Sequence, residues 1–254
     1  MAKKVLTEAQ VEDFKRDGFL VACAMFSAEE MKDISAWTEE VERWPETPGK
    51  HMMYFEESLK GDGARILNRL ENFYPYHDGF HDLFDGEKIR GAVSDLLSED
   101  AVLYKEKINF KLPGGDGFKL HQDQQAGWRT YTDFYITALV SIDQATEANG
   151  CLQLVAGLHD KGLIGKEWEP MTEDDLGGAE PVSCPTKPGD VVFFDCYAPH
   201  GSGPNLSDLK RRVLYVTYNR AADGDFREQY YIDKRKSYPP DIERDPDKEY
   251  AFRV

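Results

Sequence analysis

Apolar positions recur with two different rhythms, and the change falls near residue 100. In the first part the spacing is helical. Thr7-Glu-Ala-Gln10 and Ser27-Ala-Glu-Glu30 each have the hydroxyl-x-x-acid/amide form that closes the first turn of a helix. After the second, Met31, Ile34, Trp37, Val41 and Trp44 follow at three- and four-residue steps and give one apolar stripe. GFLVACAMF (18–26) between them reads as a short strand, and GEKIRGAVSDLLS (86–98) as a further helix.

From residue 101 the period is two. In AVLYKEKINFKL (101–112), Tyr104, Glu106, Ile108 and Phe110 take one face and Lys105, Lys107, Asn109 and Lys111 the other. A face that rich in lysine is expected to be solvated, the alternative being the polar lining of a barrel. Further strands are expected at 133–143, 150–157, 189–197 and 211–220, separated by LPGGDG, EANG, TKPGD and GSGPN. Short strands punctuated by Gly and Pro indicate a β-barrel or sandwich. Residues 158–186 have no clear period and read as a long excursion of the kind that covers sites. The charged tail from Ile232 is expected to wrap the surface.

The chain has 254 residues, enough to bury a substantial core, and a formal net charge of -16. That charge argues against nucleic acid or an anionic membrane surface as a partner, because both need clustered Lys and Arg. It leaves room for a small anionic substrate held by a few buried cations. The start, MAKKVLTEAQVEDF, has no apolar leader, and no segment has the length of a membrane span. The four scattered cysteines carry no CxxC, so reduced, mostly buried thiols are expected. The expectation is a soluble cytoplasmic protein, monomeric or homodimeric, acting on a small molecule.

Candidate chemistry centres on KLHQDQQAGW (119–128). His121 and Asp123 point the same way if the backbone between them is extended. Such a pair alone is weak evidence, since a His–Asp pair satisfied within a strand, with an unrelated His elsewhere, gives the same pattern. Its context strengthens it. His200 ends the strand GDVVFFDCY, and two ligands from one segment plus one from a distant strand make a 2-His-1-carboxylate set with three open positions, which suits Fe(II). Arg211 opens the next strand, where its guanidinium could grip a carboxylate in a fork, with Ser202 beside it. The other histidines weigh less. His77 and His81 lack a third ligand, His51 is expected at the surface, and His159 in core or lid packing.

YKEKINFKLPGGDGFKLHQD, GCLQLVAGLH and PGDVVFFDCYAPHGSGPN…RR, in that order, resemble the phytanoyl-CoA dioxygenase family of Fe(II)/2-oxoglutarate oxygenases over roughly residues 7–221. The resemblance implies a mostly β fold with flanking α: a double-stranded β-helix (jelly-roll) core with N-terminal helices packed outside. It implies one dioxygenase domain over 1–254, with a helical part to about 100, the core at about 101–221 and an extension at 222–254. It assigns iron to His121, Asp123 and His200, and the cosubstrate 2-oxoglutarate to Arg211 with Ser202 and Asn109. It also implies O2 as the oxidant, release of succinate and CO2, and hydroxylation of a C–H bond. Related halogenases replace the carboxylate by a small residue, so Asp123 favours hydroxylation.

Lys107, Gln124, Trp128 and Tyr135 are candidate substrate contacts, with Lys105, Gln125 and Arg129 nearby. The set suits a small zwitterion: a cation for its anionic group, and Trp128 against an ammonium. Core or lid packing is the bland reading of Trp128. An acyl-CoA is disfavoured, since no basic site for its phosphates and no greasy channel can be located. The KEKINFKLPGG…HQDQQAGW and KEWEPMTEDD stretches also resemble family members that hydroxylate 2-aminoethylphosphonate next to phosphorus, with an amino acid or ectoine-like substrate as the alternative. A cupin-type isomerase and a non-catalytic jelly-roll binding module are the rival classes.

Overall fold

The computed structural model describes residues 4–251. In chain order the elements are α1 (Glu8–Asp17), β1 (Phe19–Ala22), α2 (Ala28–Glu42), β2 (Met52–Glu57), β3 (Arg65–Glu71), α3 (Asp78–Asp85), α4 (Ala92–Leu97), β4 (Ala101–Lys111), β5 (Phe118–His121), β6 (Ile136–Ser141), β7 (Leu152–Leu154), β8 (Val182–Cys184), β9 (Val191–Asp195), β10 (His200–Ser202), β11 (Arg211–Arg220) and α5 (Arg227–Ser237). Both expected capping boxes are formed. Thr7 accepts from the Gln10 amide and Ser27 from that of Glu30, and each side chain three residues on returns a bond to its cap. The 86–98 helix begins with a π-turn at Glu87–Gly91 before α4.

Two antiparallel sheets form the body. The large one runs β1-β9-β6-β11-β4-β3-β2, and the small one β5-β10-β7-β8. Alternation along the long strands decides what lies on each face of the large sheet. Ile108, Phe110, Ala138, Val140, Val191, Phe193, Leu214 and Val216 face α1–α4 and share a core with Phe14, Ile34, Phe80 and Val93. The residues between them, Leu139, Val192, Val213 and Tyr215, face the small sheet and pack on Leu152 and Leu154. This is the expected jelly roll, with helices on one outer face. No helix among the described residues is long and apolar enough to cross a membrane.

Four expectations are corrected. The lysine-rich face of β4 is not solvated: Lys105, Asn109 and Lys111 are 5%, 2% and 3% exposed, and they line the space between the sheets. A bulge also breaks the alternation, since Thr217 pairs with Lys105 and Tyr218 with Leu103. Tyr104 is thereby turned away from Ile108 and Phe110 into an aromatic cluster with Trp128, Tyr135 and Tyr230. His51, expected at the surface, is buried against Trp44 with its Nε2 at 3.1 Å from the Pro45 carbonyl. Among the thiols Cys151 and Cys196 are buried, but Cys23 is exposed.

The charged C-terminal part does more than wrap the outside. Arg227 of α5 binds buried Glu106 through both carboxylate oxygens at 2.8 Å, and Lys234 reaches buried Glu71 at 2.9 Å. Tyr238 stacks on Tyr54 of β2.

Candidate metal centre and active site

His121 ends β5 and His200 begins β10, and the two are direct partners across the ladder. Their rings lie 4.3 Å apart between centroids. Gln122 is extended (φ -104, ψ 139), so Asp123 emerges on the same side as His121, and the chain then turns in a short 3-10 segment at Asp123–Ala126. Ligand atoms of His121, Asp123 and His200 all lie within 4.8 Å of one another.

The surroundings prepare these atoms for a cation. Nδ1 of His121 is 2.7 Å from the Lys119 carbonyl, and Nδ1 of His200 is 3.0 Å from that of Ala198. A carbonyl only accepts, so each proton sits on Nδ1 and each Nε2 keeps its lone pair. Burial pushes the His121 imidazole down to about 3, with the neighbouring His200 adding to it, and burial lowers His200 as well. Both rings are therefore neutral and able to ligate at neutral pH. Asp123 Oδ2 accepts from the Thr137 hydroxyl at 3.3 Å, while Oδ1 stands 4.0 Å from His200 Nε2. Two imidazoles and one fixed carboxylate, all from one side, fit a divalent iron with open positions opposite.

Arg211 heads β11 directly opposite Lys111, the last residue of β4. Both are buried, and neither has a carboxylate within 4 Å among the described residues. Arg211 Nη1 donates to the Gly150 carbonyl at 2.8 Å, and its buried Nε has no partner. Lys111 Nζ donates to Ser202 Oγ at 2.7 Å and to the Gly203 carbonyl at 2.6 Å. Burial, then Arg211, pushes the Lys111 ammonium down to about 7. Gly150 lets the loops meet here: its φ is +73°, and a Cβ would collide with the Gly203 carbonyl. Asn109 lies one inward step along β4, its Oδ1 buried and unpartnered. Two buried cations without a counter-charge are unfavourable by several kcal/mol each unless an anion joins them, as about that much is lost on desolvating an ion.

The remaining sequence candidates are distributed unevenly. Lys107 points inward from β4, 4.7 Å from the Tyr215 ring centroid, and its charge acts on both metal-facing imidazoles. Trp128 is 6% exposed and faces a cation of the protein itself, Lys105 Nζ at 4.9 Å. Tyr135 is fully buried and donates to the Trp128 carbonyl at 3.1 Å. The Gln124 amide donates to the Asp133 carbonyl at 2.8 Å, leaving its Oε1 buried without a partner. The neighbouring glutamines clamp the 158–186 excursion. Gln122 bonds the Gly162 carbonyl and the Ile164 amide, and Gln125 bonds the Lys166 carbonyl.

Sequence reasoning did not single out Lys111, Thr137, Arg69 or Glu71. Lys111 shares the parity of Asn109, so once the resemblance placed Asn109 at the cosubstrate, Lys111 could have been placed on the same face. A cavity of about 280 Å³ opens beside His121, lined also by Arg69, Tyr54, Phe118, Tyr238, Glu56 and Asp116. Arg69 and Glu71 are buried and paired at 2.6 Å.

Known proteins bear out this architecture. The chain is 41% identical over 248 residues to 2-aminoethylphosphonate dioxygenase of uncultured bacterium HF130_AEPn_1, covering 96% of this chain and 94% of that protein. It is 38% identical to methylphosphonate hydroxylase of Gimesia maris, covering 92% and 88%. Among solved structures, EctD from S. alaskensis with 2-oxoglutarate and 5-hydroxyectoine superposes with a TM-score of 0.74 at 19% identity, over 88% of this chain and 79% of that one, a likeness of fold. The family model described as phytanoyl-CoA dioxygenase (PhyH) matches residues 14–213. With four-fifths of its length matched in this way, the chain belongs to the phytanoyl-CoA dioxygenase family.

Proposed function

We propose that the protein is an Fe(II)- and 2-oxoglutarate-dependent dioxygenase that hydroxylates a small phosphonate, with 2-aminoethylphosphonate as the preferred candidate, at the carbon next to phosphorus. The observation that carries the reaction class is the juxtaposition of the His121–Asp123–His200 triad with two buried cations, Arg211 and Lys111, that have no carboxylate partner among the described residues. The names borne by the two relatives support the substrate class.

On this reading His121, Asp123 and His200 hold the iron. Arg211, with Lys111, Ser202 and Asn109 beside it, receives the distal carboxylate of 2-oxoglutarate. Iron, when bound, supplies O2 activation coupled to decarboxylation of the cosubstrate. The chain positions the reactants and excludes water. Thr137 fixes the Asp123 carboxylate, and the Lys119 and Ala198 carbonyls fix the two imidazoles. Phe194, 4.6 Å from the His200 ring, covers one side of the site with carbon. The ion pairs of α5 with Glu71 and Glu106 support reading the helices, barrel and C-terminal part as one dioxygenase domain.

The test has two steps. Anaerobic addition of Fe(II) and 2-oxoglutarate should give the weak visible charge-transfer band of the chelate. A panel of aminophosphonates, amino acids and betaines is then assayed for stimulated succinate release and a hydroxylated product. A chelate band with release stimulated by amino acids alone would remove the phosphonate assignment. Turnover without succinate would remove the reaction class.

A further inference from the structure

Buried positive charge is in excess on the substrate side of the barrel as well as at the cosubstrate end. Lys105 and Lys107 are two apart on β4 and both project inward. Lys105 is 95% buried, its ammonium seated between the rings of Trp128 at 4.9 Å and Tyr230 at 5.0 Å. Lys107 is partly buried between Tyr215 at 4.7 Å and Phe118 at 5.8 Å, and Phe118 lines the cavity beside His121. Neither ammonium has a hydrogen-bond acceptor or a carboxylate within reach among the described residues. The nearest carboxylates are committed elsewhere. Glu71 bonds Arg69 and Lys234, Glu106 bonds Arg227, and Asp123 belongs to the metal set. Arg69, on the neighbouring strand β3 opposite Asn109, lines the same cavity.

Arg69, Lys105, Lys107 and Lys234 thus lie together on this side of the metal, and among the described residues Glu71 makes ion pairs with Arg69 and Lys234 while Lys105 and Lys107 make none. Ring faces hold an ammonium only partly, by about 2 kcal/mol when desolvated, against a desolvation cost of several kcal/mol per buried ion. An anion accepting from both Lys105 and Lys107 would complete this partial hold, and a phosphonate brings two charges to the pair. A carboxylate or sulfonate brings one.

We propose that Lys105 and Lys107, with Arg69, form a subsite for the dianionic head group of the substrate, selecting phosphonates over singly charged isosteres. The assignment rests on the dioxygenase reading above and specifies which end of the substrate goes where. With the head group on β4, the carbon attached to phosphorus is the one held nearest His121 and Asp123.

The experiment is anaerobic calorimetry on the protein loaded with Fe(II) and 2-oxoglutarate, titrated with 2-aminoethylphosphonate and with its monoanionic isostere 2-aminoethanesulfonate. The wild type should bind the phosphonate at least about tenfold tighter, since one charge-assisted hydrogen bond contributes roughly 1.5–3 kcal/mol and 1.4 kcal/mol is tenfold. Lys105→Met and Lys107→Met should each weaken phosphonate binding about ten- to a hundredfold, weaken sulfonate binding less, and leave the 2-oxoglutarate affinity within about threefold. Lys105→Arg should retain the preference. Competition needs no variant: methylphosphonate should displace 2-aminoethylphosphonate from the wild type where methanesulfonate does not. Equal affinity for phosphonate and sulfonate, or the wild-type preference surviving in both Met variants, overturns the subsite. Aerobic product analysis separates the two failures. Hydroxylated phosphonate made by Met variants of unchanged preference leaves the dioxygenase reading and removes the subsite. Tight, selective phosphonate binding without hydroxylation does the reverse.

Discussion

Replacing Arg211 with lysine tests the cosubstrate clamp most directly. The guanidinium spends Nη1 on the Gly150 carbonyl and keeps Nε free inside the barrel, so its remaining edge is set for a two-point grip on a carboxylate. Arg211→Lys keeps the charge and removes the fork. The loss is about one charge-assisted hydrogen bond, roughly 1.5–3 kcal/mol, or a ten- to hundredfold higher 2-oxoglutarate requirement. Lys111 cannot fully compensate, because two of its three hydrogens are held at 2.7 and 2.6 Å by Ser202 and the Gly203 carbonyl. Succinate release is measured against 2-oxoglutarate at saturating Fe(II), then against Fe(II) at saturating 2-oxoglutarate. The anaerobic charge-transfer band gives binding without turnover. The KM for 2-oxoglutarate should rise and the iron requirement stay within twofold. An unchanged cosubstrate KM, or a parallel rise in both, refutes the clamp.

Asp123→Ala should abolish hydroxylation and weaken Fe(II) binding in an anaerobic metal titration, and near-normal activity would take Asp123 off the ligand list. Arg227→Met strands the fully buried Glu106 carboxylate, so stability should fall by about 3–5 kcal/mol and the Tm by roughly 6–20 °C; an unchanged melting curve would show that the pair is dispensable. Burial pushes the Asp195 carboxyl from 3.8 up to about 6. Its neutral form is preferred in the fold, so its contribution is full below about pH 4 and lost as the pH rises through about 6. Asp195→Asn should therefore stabilise the fold more at pH 8 than at pH 4, by at most about 3 kcal/mol, and equal gains at both values would contradict this.

What the sequence hid has a common cause. Period-two alternation reads the same whether the polar face of a strand meets bulk water or an internal cavity, so Lys105, Asn109 and Lys111 gave no sign of their burial. The same ambiguity concealed β2 and β3, where Arg69 and Glu71 occupy inward positions that a simple sandwich would fill with apolar residues. The α5 segment REQYYIDKRKS has too little apolar content to announce a packed helix, because Arg227 and Lys234 dock through ion pairs. The triad was visible because it is local in part: His121 and Asp123 are bound by strand geometry, and His200 follows closely on the clear strand β9. The capping boxes at Thr7 and Ser27 were equally plain, since every group involved lies within three residues.

The two sheets are unequal in a way that bears on how the protein ages. The ladder that aligns the paired imidazoles is built from β5, β7, β8 and β10, none longer than four residues, whereas the clamp stands on β4 and β11, of eleven and ten. Short ladders open at lower free energy than long ones. Warming should thus scatter the ferrous-ion ligands first, and an inactive protein that still looks folded by circular dichroism would be the first product of heat damage.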